Sequence, residues 1–250
     1  MGKRRSSENT AASRSDVAPG GVIAVHVIGP PSITSNGASV RLRYRKSEAL
    51  LYYLATEGRS VSRTHATDLL WTDLDPRAGA RNLRGVLTDL RSILGPRLRV
   101  DPTSGSITLL QIRCDRHQLQ PTHDDALSNP ITRDDIQLLL GNEDLLEGFD
   151  LANAERFETW RSESNAQFQD ERHATRITTI DAALQNDQTD LAIALLEASL
   201  NHEPWNEAIA QRLAMLHLQW TSTARALSVL DDVTRTLRTE LDERPHPSTR

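Results

Sequence analysis

Five side chains between residues 77 and 91 share a chemistry and a spacing suited to gripping an anion. Arg77, Arg81, Arg84, Thr88 and Arg91 recur at intervals of four, three, four and three. At about 100° per residue on an α-helix they fill an arc of ~80°. No acidic residue falls within that arc, and Asp89 points elsewhere. Four guanidinium groups on one face repel one another unless solvent or a polyanion screens them. The arginine fork donates two parallel hydrogen bonds to a phosphate or to the O6/N7 edge of guanine. The chemistry implied is recognition of a nucleic acid duplex, with Asn82 outside the arc and left to structure.

Bond-making chemistry finds no support in the sequence. There is no G-x-x-x-x-G-K-[ST] loop, no G-x-G-x-x-G, no G-x-S-x-G and no H-E-x-x-H. Cys114 and the nearby His117 are two ligands, too few to close a tetrahedral metal shell. The pairs Asp124-Asp125 and Asp134-Asp135 read as solvated charges. The expectation is a protein without cofactor, metal or enzymatic activity. A single cysteine excludes an internal disulfide and suits a reducing compartment. No apolar run approaches the ~18 residues of a membrane span, and no apolar segment follows the basic N-terminus as in a secretory signal. A cytoplasmic location, away from membranes, is expected.

The elements that must position the arginines follow from caps and periodicity. The β-branched run 22–28 stops at Gly29-Pro30-Pro31 and reads as a strand. Ser35-Asn36-Gly37 is a hairpin signal, and Val40–Tyr44 alternates as a half-buried strand does. A helix over Ser47–Glu57 ends at Gly58. A second follows the cap Ser62 and runs through Trp71. Asp75-Pro76 opens a third helix, cap plus proline at the first helical position, and Gly95-Pro96 closes it. Along that helix Leu83, Val86, Leu87, Leu90 and Leu94 form the apolar side next to the basic arc. Residues 98–100 and 106–109 then make a hairpin around a Pro/Ser/Gly turn. Strands, three helices and a hairpin in this order make a winged helix. Its wing offers Arg97, Arg99, Thr103 and Ser104 to phosphate or the minor groove.

Charge divides the chain in the same place. Residues 1–110 hold 16 Lys and Arg against 9 Asp and Glu, a net +7, while residues 111–250 hold 13 against 25, a net −12. The basic part suits a polyanion and the acidic part would be repelled by one. The expected organisation is a disordered arm at 1–20, a winged helix at 21–112 and an all-α domain at 113–250. Within the last, 111–152 reads as a polar connector with short helical pieces such as Asp134–Leu140. Helices over 154–186, 188–201, 205–220 and 222–241 follow it. Ala192–Glu197 aligns with Ala226–Asp231 at an offset of 34 residues, the period of tetratricopeptide helix pairs.

At these residues the chain resembles the SARP-type transcriptional activators, the antibiotic regulatory proteins of filamentous bacteria. Those join a response-regulator-type winged helix to a bacterial transcriptional activator domain. The resemblance rests on Leu70-Trp71-Thr72-Asp73-Leu74-Asp75-Pro76 followed by Arg81-Asn82-Leu83-Arg84 and Leu90-Arg91. Leu145–Phe149, Phe157–Trp160, Glu240-Leu241 and the closing Pro245–Arg250 extend it. It implies a homodimer on double-stranded DNA, two protomers side by side on promoter-proximal direct repeats, and recruitment of the RNA polymerase holoenzyme. It also implies that the loop of Trp71, Asp73 and Asp75 faces the polymerase or its sigma factor. The tip Pro102-Thr103-Ser104-Gly105 departs from the pattern by lacking an arginine and an aromatic. No receiver domain precedes the winged helix, so control by a sensor kinase is not expected. Two alternatives remain open: a repressor using the same DNA face, with the helical domain as dimeriser or sensor, and a protein-interaction scaffold that binds no DNA.

Overall fold

A computed structural model describes residues 21–119 and 132–249. The arm expected at residues 1–20 and the pair Asp124-Asp125 lie outside the described residues. The first sheet has four strands: β1 (Ile23–His26), β2 (Ser32–Ser35), β3 (Ala38–Ser39) and β6 (Ile112–Cys114), in the order β3-β2-β1-β6. The first three form an antiparallel meander, and β6 returns parallel to β1, with Ile23 opposite Ile112. The tight turn between β2 and β3 places Asn36 and Gly37 at φ 52° and 81°. Two left-handed residues in a row suit an Asn-Gly pair, and the turn's twist matches that of the strands it joins.

The strand expected over Val40–Tyr44 does not form. Val40 donates its N–H back to Ile33, and the chain then leads into α1. Three helices follow: α1 (Arg45–Glu57), α2 (Arg63–Leu70) and α3 (Pro76–Leu94). Each keeps the boundary signal it was assigned. Gly58 ends α1 in the left-handed region, its N–H bonded to Leu54 O. Ser62 Oγ accepts the His65 N–H at 3.1 Å to start α2. The hairpin of β4 (Leu98–Val100) and β5 (Ile107–Leu109) is the wing, and Val61 bridges to Ile107 at its base.

The helical part comprises α4 (Arg133–Leu140), α5 (Glu155–Gln185), α6 (Thr189–His202), α7 (Glu207–Trp220) and α8 (Thr223–Glu240). From α5 onward each helix packs on the next as a tetratricopeptide-like stack. The two repeat segments sit in α6 and α8, where Ala192 and Ala226 are both buried and let neighbouring helices approach closely.

The boundary expected between residues 112 and 113 falls inside β6. Beyond it, the supposed polar connector is part of the winged helix's support. Asp115 accepts the N–H groups of Val27 and Ile28 at 2.9 and 3.4 Å. Leu146 donates its N–H to Val27 O, Gly29 donates to Asp144 O and Glu147 to Gly29 O. Phe149 packs edge-on to Tyr52, with ring centroids 5.2 Å apart, and Trp160 likewise to Tyr53 at 4.7 Å. Trp160 Nε1 donates to Glu57 Oε1. One apolar core therefore runs from β1 through α1 and Phe157 to α6 and α7. The segments 145–149 and 157–160, which carried much of the resemblance, are the material of that junction.

Candidate nucleic-acid interface

The apolar side of α3 is buried at Leu83, Val86, Leu87, Leu90 and Leu94, and Arg77, Arg81, Arg84, Thr88 and Arg91 are all exposed. The helix is held at its start by Asp75, whose carboxylate accepts from the N–H groups of Arg77 at 2.9 Å and Ala78 at 3.2 Å. Pro76 at the first helical position forfeits no hydrogen bond there. Thr88 Oγ1 donates to Arg84 O at 2.9 Å, which leaves the two lone pairs of its hydroxyl able to accept. Among the described residues no carboxylate forms a salt bridge with Arg77, Arg81, Arg84 or Arg91. Asp89 is turned off the arc and holds backbone N–H groups of Arg43 and Tyr44 instead. The result is a cationic ridge whose counter-charge the described residues do not supply.

The wing residues divide. Arg99 and Thr103 are exposed beside the tip. Arg97 is not available in the same way: its Nη2 donates to Gly21 O, and its Nε is buried. It ties the chain entering β1 to the turn just before the wing's first strand. The tip itself is ordered by Asp101, whose Oδ1 accepts from Ser104 N at 2.7 Å, Thr103 N at 2.8 Å and Ser104 Oγ at 3.1 Å. These donors, the backbone of Ser104 first, hold the Asp101 carboxyl below the usual carboxylate range. Gly105 closes the tip at φ 70°.

The loop between α2 and α3 also differs from its expected form. Trp71 is 9 % exposed, its ring covered by the Lys46 ammonium at 5.0 Å. Lys46 Nζ in turn donates to Leu70 O at 2.6 Å, the last carbonyl of α2. Burial lowers the Lys46 pKa, and the nearby Asp73 opposes that shift. Trp71 therefore braces the loop. Asp75 spends both carboxylate oxygens on the α3 cap. What the loop presents outward is Thr72, Asp73 and Leu74, the last 44 % exposed.

Gly79, unremarked in the sequence, sets how α2 and α3 cross. A Cβ there would overlap the Thr67 Cγ2 methyl. Thr67 cannot rotate away freely, because its hydroxyl donates to Arg63 O at 2.9 Å. Gly79→Ala should gain some intrinsic helix propensity, up to ~1 kcal/mol, yet lose more to overpacking, for a net destabilisation of about 1–2 kcal/mol. Denaturant unfolding of the variant checks this, and a protein as stable as the parent or more so would refute the close crossing. A glycine inside an otherwise strong helical pattern was the available signal.

Residues 136–250 match the bacterial transcriptional activator domain family. No curated protein matches the chain. Its fold is similar to that of Mycobacterium tuberculosis EmbR, solved in complex with a low affinity phosphopeptide, at a TM-score of 0.61 and 17 % identity. That similarity covers 92 % of this chain and 63 % of the EmbR chain, so the protein spans under two thirds of that relative's length. Among the described residues no helix is long and apolar enough to cross a membrane, and no three His, Cys, Asp or Glu side chains are grouped to hold a metal ion.

Proposed function

We propose that the chain is a transcriptional regulator of the SARP type, a winged helix followed by a bacterial transcriptional activator domain, and that it activates transcription by binding DNA sequence-specifically. α3 enters the major groove of promoter-proximal repeats, two copies sit side by side, and the loop of Asp73 and Leu74 meets RNA polymerase holoenzyme at its sigma factor. It does this in the cytoplasm, without catalysis. The observation that carries the reading is the arginine ridge on α3, unpaired among the described residues and suited to a polyanion, with a hairpin wing beside it that exposes Arg99 and Thr103. The acidic helical part, at −12, would be repelled by such a partner and suits protein contacts.

Selection of bound duplexes from a random pool by the full chain tests the DNA reading, and enrichment of a repeated short motif is the expected result. Activation has its own test. Asp73 is exposed and caps nothing, so Asp73→Ala should leave DNA affinity within twofold of the parent and reduce transcription from a promoter carrying the selected repeats. Asp75→Ala serves as the comparison, because loss of a doubly used cap costs ~1 kcal/mol of stability. Parental transcription by Asp73→Ala would remove this carboxylate from the polymerase contact.

A further inference from the structure

Residues 40–44 lie along the flank of α3, where a strand was expected, and one side chain fastens them there. The Asp89 carboxylate accepts the Arg43 N–H at 3.1 Å and the Tyr44 N–H at 3.3 Å. Asp89 stands about 120° around the helix from Arg77, beside the basic arc and not on it. Leu42 is buried beneath the loop, so alternation turns Arg41 and Arg43 outward, and both are exposed. The Arg43 guanidinium lies 5.2 Å from the centroid of the Tyr44 ring, itself 46 % exposed. The neighbouring cations are already committed. Arg45 packs over Phe149 at 4.0 Å and donates to Asp150 O, and Lys46 is held at Leu70 O. The carboxylates close by are Asp89 and the half-buried Glu48, which Arg45 and Arg41 influence. Neither Arg41 nor Arg43 forms a salt bridge among the described residues.

A helix is about 10–12 Å across with its side chains, and the major groove is about 12 Å wide. Whatever is fastened to the flank of a helix in that groove sits over the phosphate rim. We propose that Arg41 and Arg43 bind DNA phosphates on the rim beside the groove that α3 enters, with Asp89 as the positioning residue that holds their loop to the recognition helix. This rests on the DNA-binding reading and adds a second contact strip to it. Phosphate contacts fix register without reading sequence. The strip therefore adds affinity to all duplexes alike.

The test uses the full chain, a selected duplex and a scrambled one, titrated from 50 to 200 mM salt. Each neutralised phosphate contributes a slope of about −0.9 to log K against log salt. The double variant Arg41→Gln/Arg43→Gln should therefore lessen the slope by about two units, equally on both duplexes. Its deficit relative to the parent should shrink about tenfold across that salt range. Asp89→Ala should lessen the slope in part with both arginines intact, which a purely structural role would not do. A parental slope for the double variant overturns the proposal, and if Arg84→Ala still weakens binding, only the loop assignment falls. Parent binding no tighter than that of Arg84→Ala would overturn the DNA reading and this strip with it.

Discussion

Arg176→Ala is expected to destabilise the protein by about 3–5 kcal/mol, one of the two largest effects foreseen for single sites. Arg176 is 1 % exposed on α5 and donates from Nε to Leu139 O, from Nη2 to Gly141 O and to Asn142 Oδ1 at 3.0 Å, and from Nη1 to Ala198 O at 3.4 Å. Leu139 O and Gly141 O lie at the C-terminal end of α4, where helical carbonyls lack partners of their own. Each buried acceptor stranded by the substitution costs ~1–3 kcal/mol, and the emptied volume adds to that. Burial lowers the Arg176 pKa to about 10, with the neighbouring Arg172 pushing the same way, so the group stays charged at neutral pH. Arg172, also 1 % exposed, donates to Glu143 O and Gln169 Oε1. Together the two arginines suspend residues 139–143, and the segment just after them bonds to residues 27–29 beyond β1 and inserts Phe149 beside Tyr52. The loss should therefore loosen the junction with the winged helix. Chemical denaturation is the measurement, and a variant within ~0.5 kcal/mol of the parent would mean the guanidinium does not hold this segment.

Such a residue shows why part of the molecule was legible in the sequence and part was not. The recognition helix was legible because several independent signals agree on it: Asp75-Pro76 at one end, Gly95-Pro96 at the other, and an apolar stripe beside a basic one. Its five polar-arc residues stand where spacing alone puts them. Arg172 and Arg176 gave no such signal. Arginine is read as surface, and only the tertiary structure reveals carbonyls converging on them.

The same limit explains where the structure differs from the sequence pattern around the site. Val40–Tyr44 alternates as a strand does, but alternation reports burial and not hydrogen-bond partners. Here the partner is the Asp89 carboxylate, 46 residues beyond Arg43. Strands of three residues, such as β6, leave too short a pattern to stand out from a polar stretch. Hence a boundary drawn from composition falls inside one. Arg97 reads as one of the DNA-facing cations because charge is visible in sequence, and the Gly21 carbonyl that accepts from its Nη2 is not. The resemblance assigns Trp71 to the polymerase-facing loop, whereas its ring is buried against the Lys46 ammonium, a packing that the sequence does not display.

The arginine ridge is the other site of large expected effect, and the central claim rests on it. Arg81 and Arg84 are exposed, so replacing them opens no cavity and melting should stay near the parent's. Losing a bidentate contact to guanine costs ~1–3 kcal/mol and relaxes preference at one base pair, while losing a phosphate contact weakens all sequences alike. Arg84, central in the arc, is expected to act in the first way, and Arg77, at the helix start, in the second, with a salt slope lessened by about one unit. The most direct measurement is an equilibrium titration of the full chain and of Arg81→Ala/Arg84→Ala on the selected duplex and a scrambled one. The account predicts a loss of about 2–6 kcal/mol on the selected duplex, the sum of two such contacts, and convergence of the two duplexes in affinity. Parental affinity and parental discrimination in the double variant would show that α3 does not enter the groove.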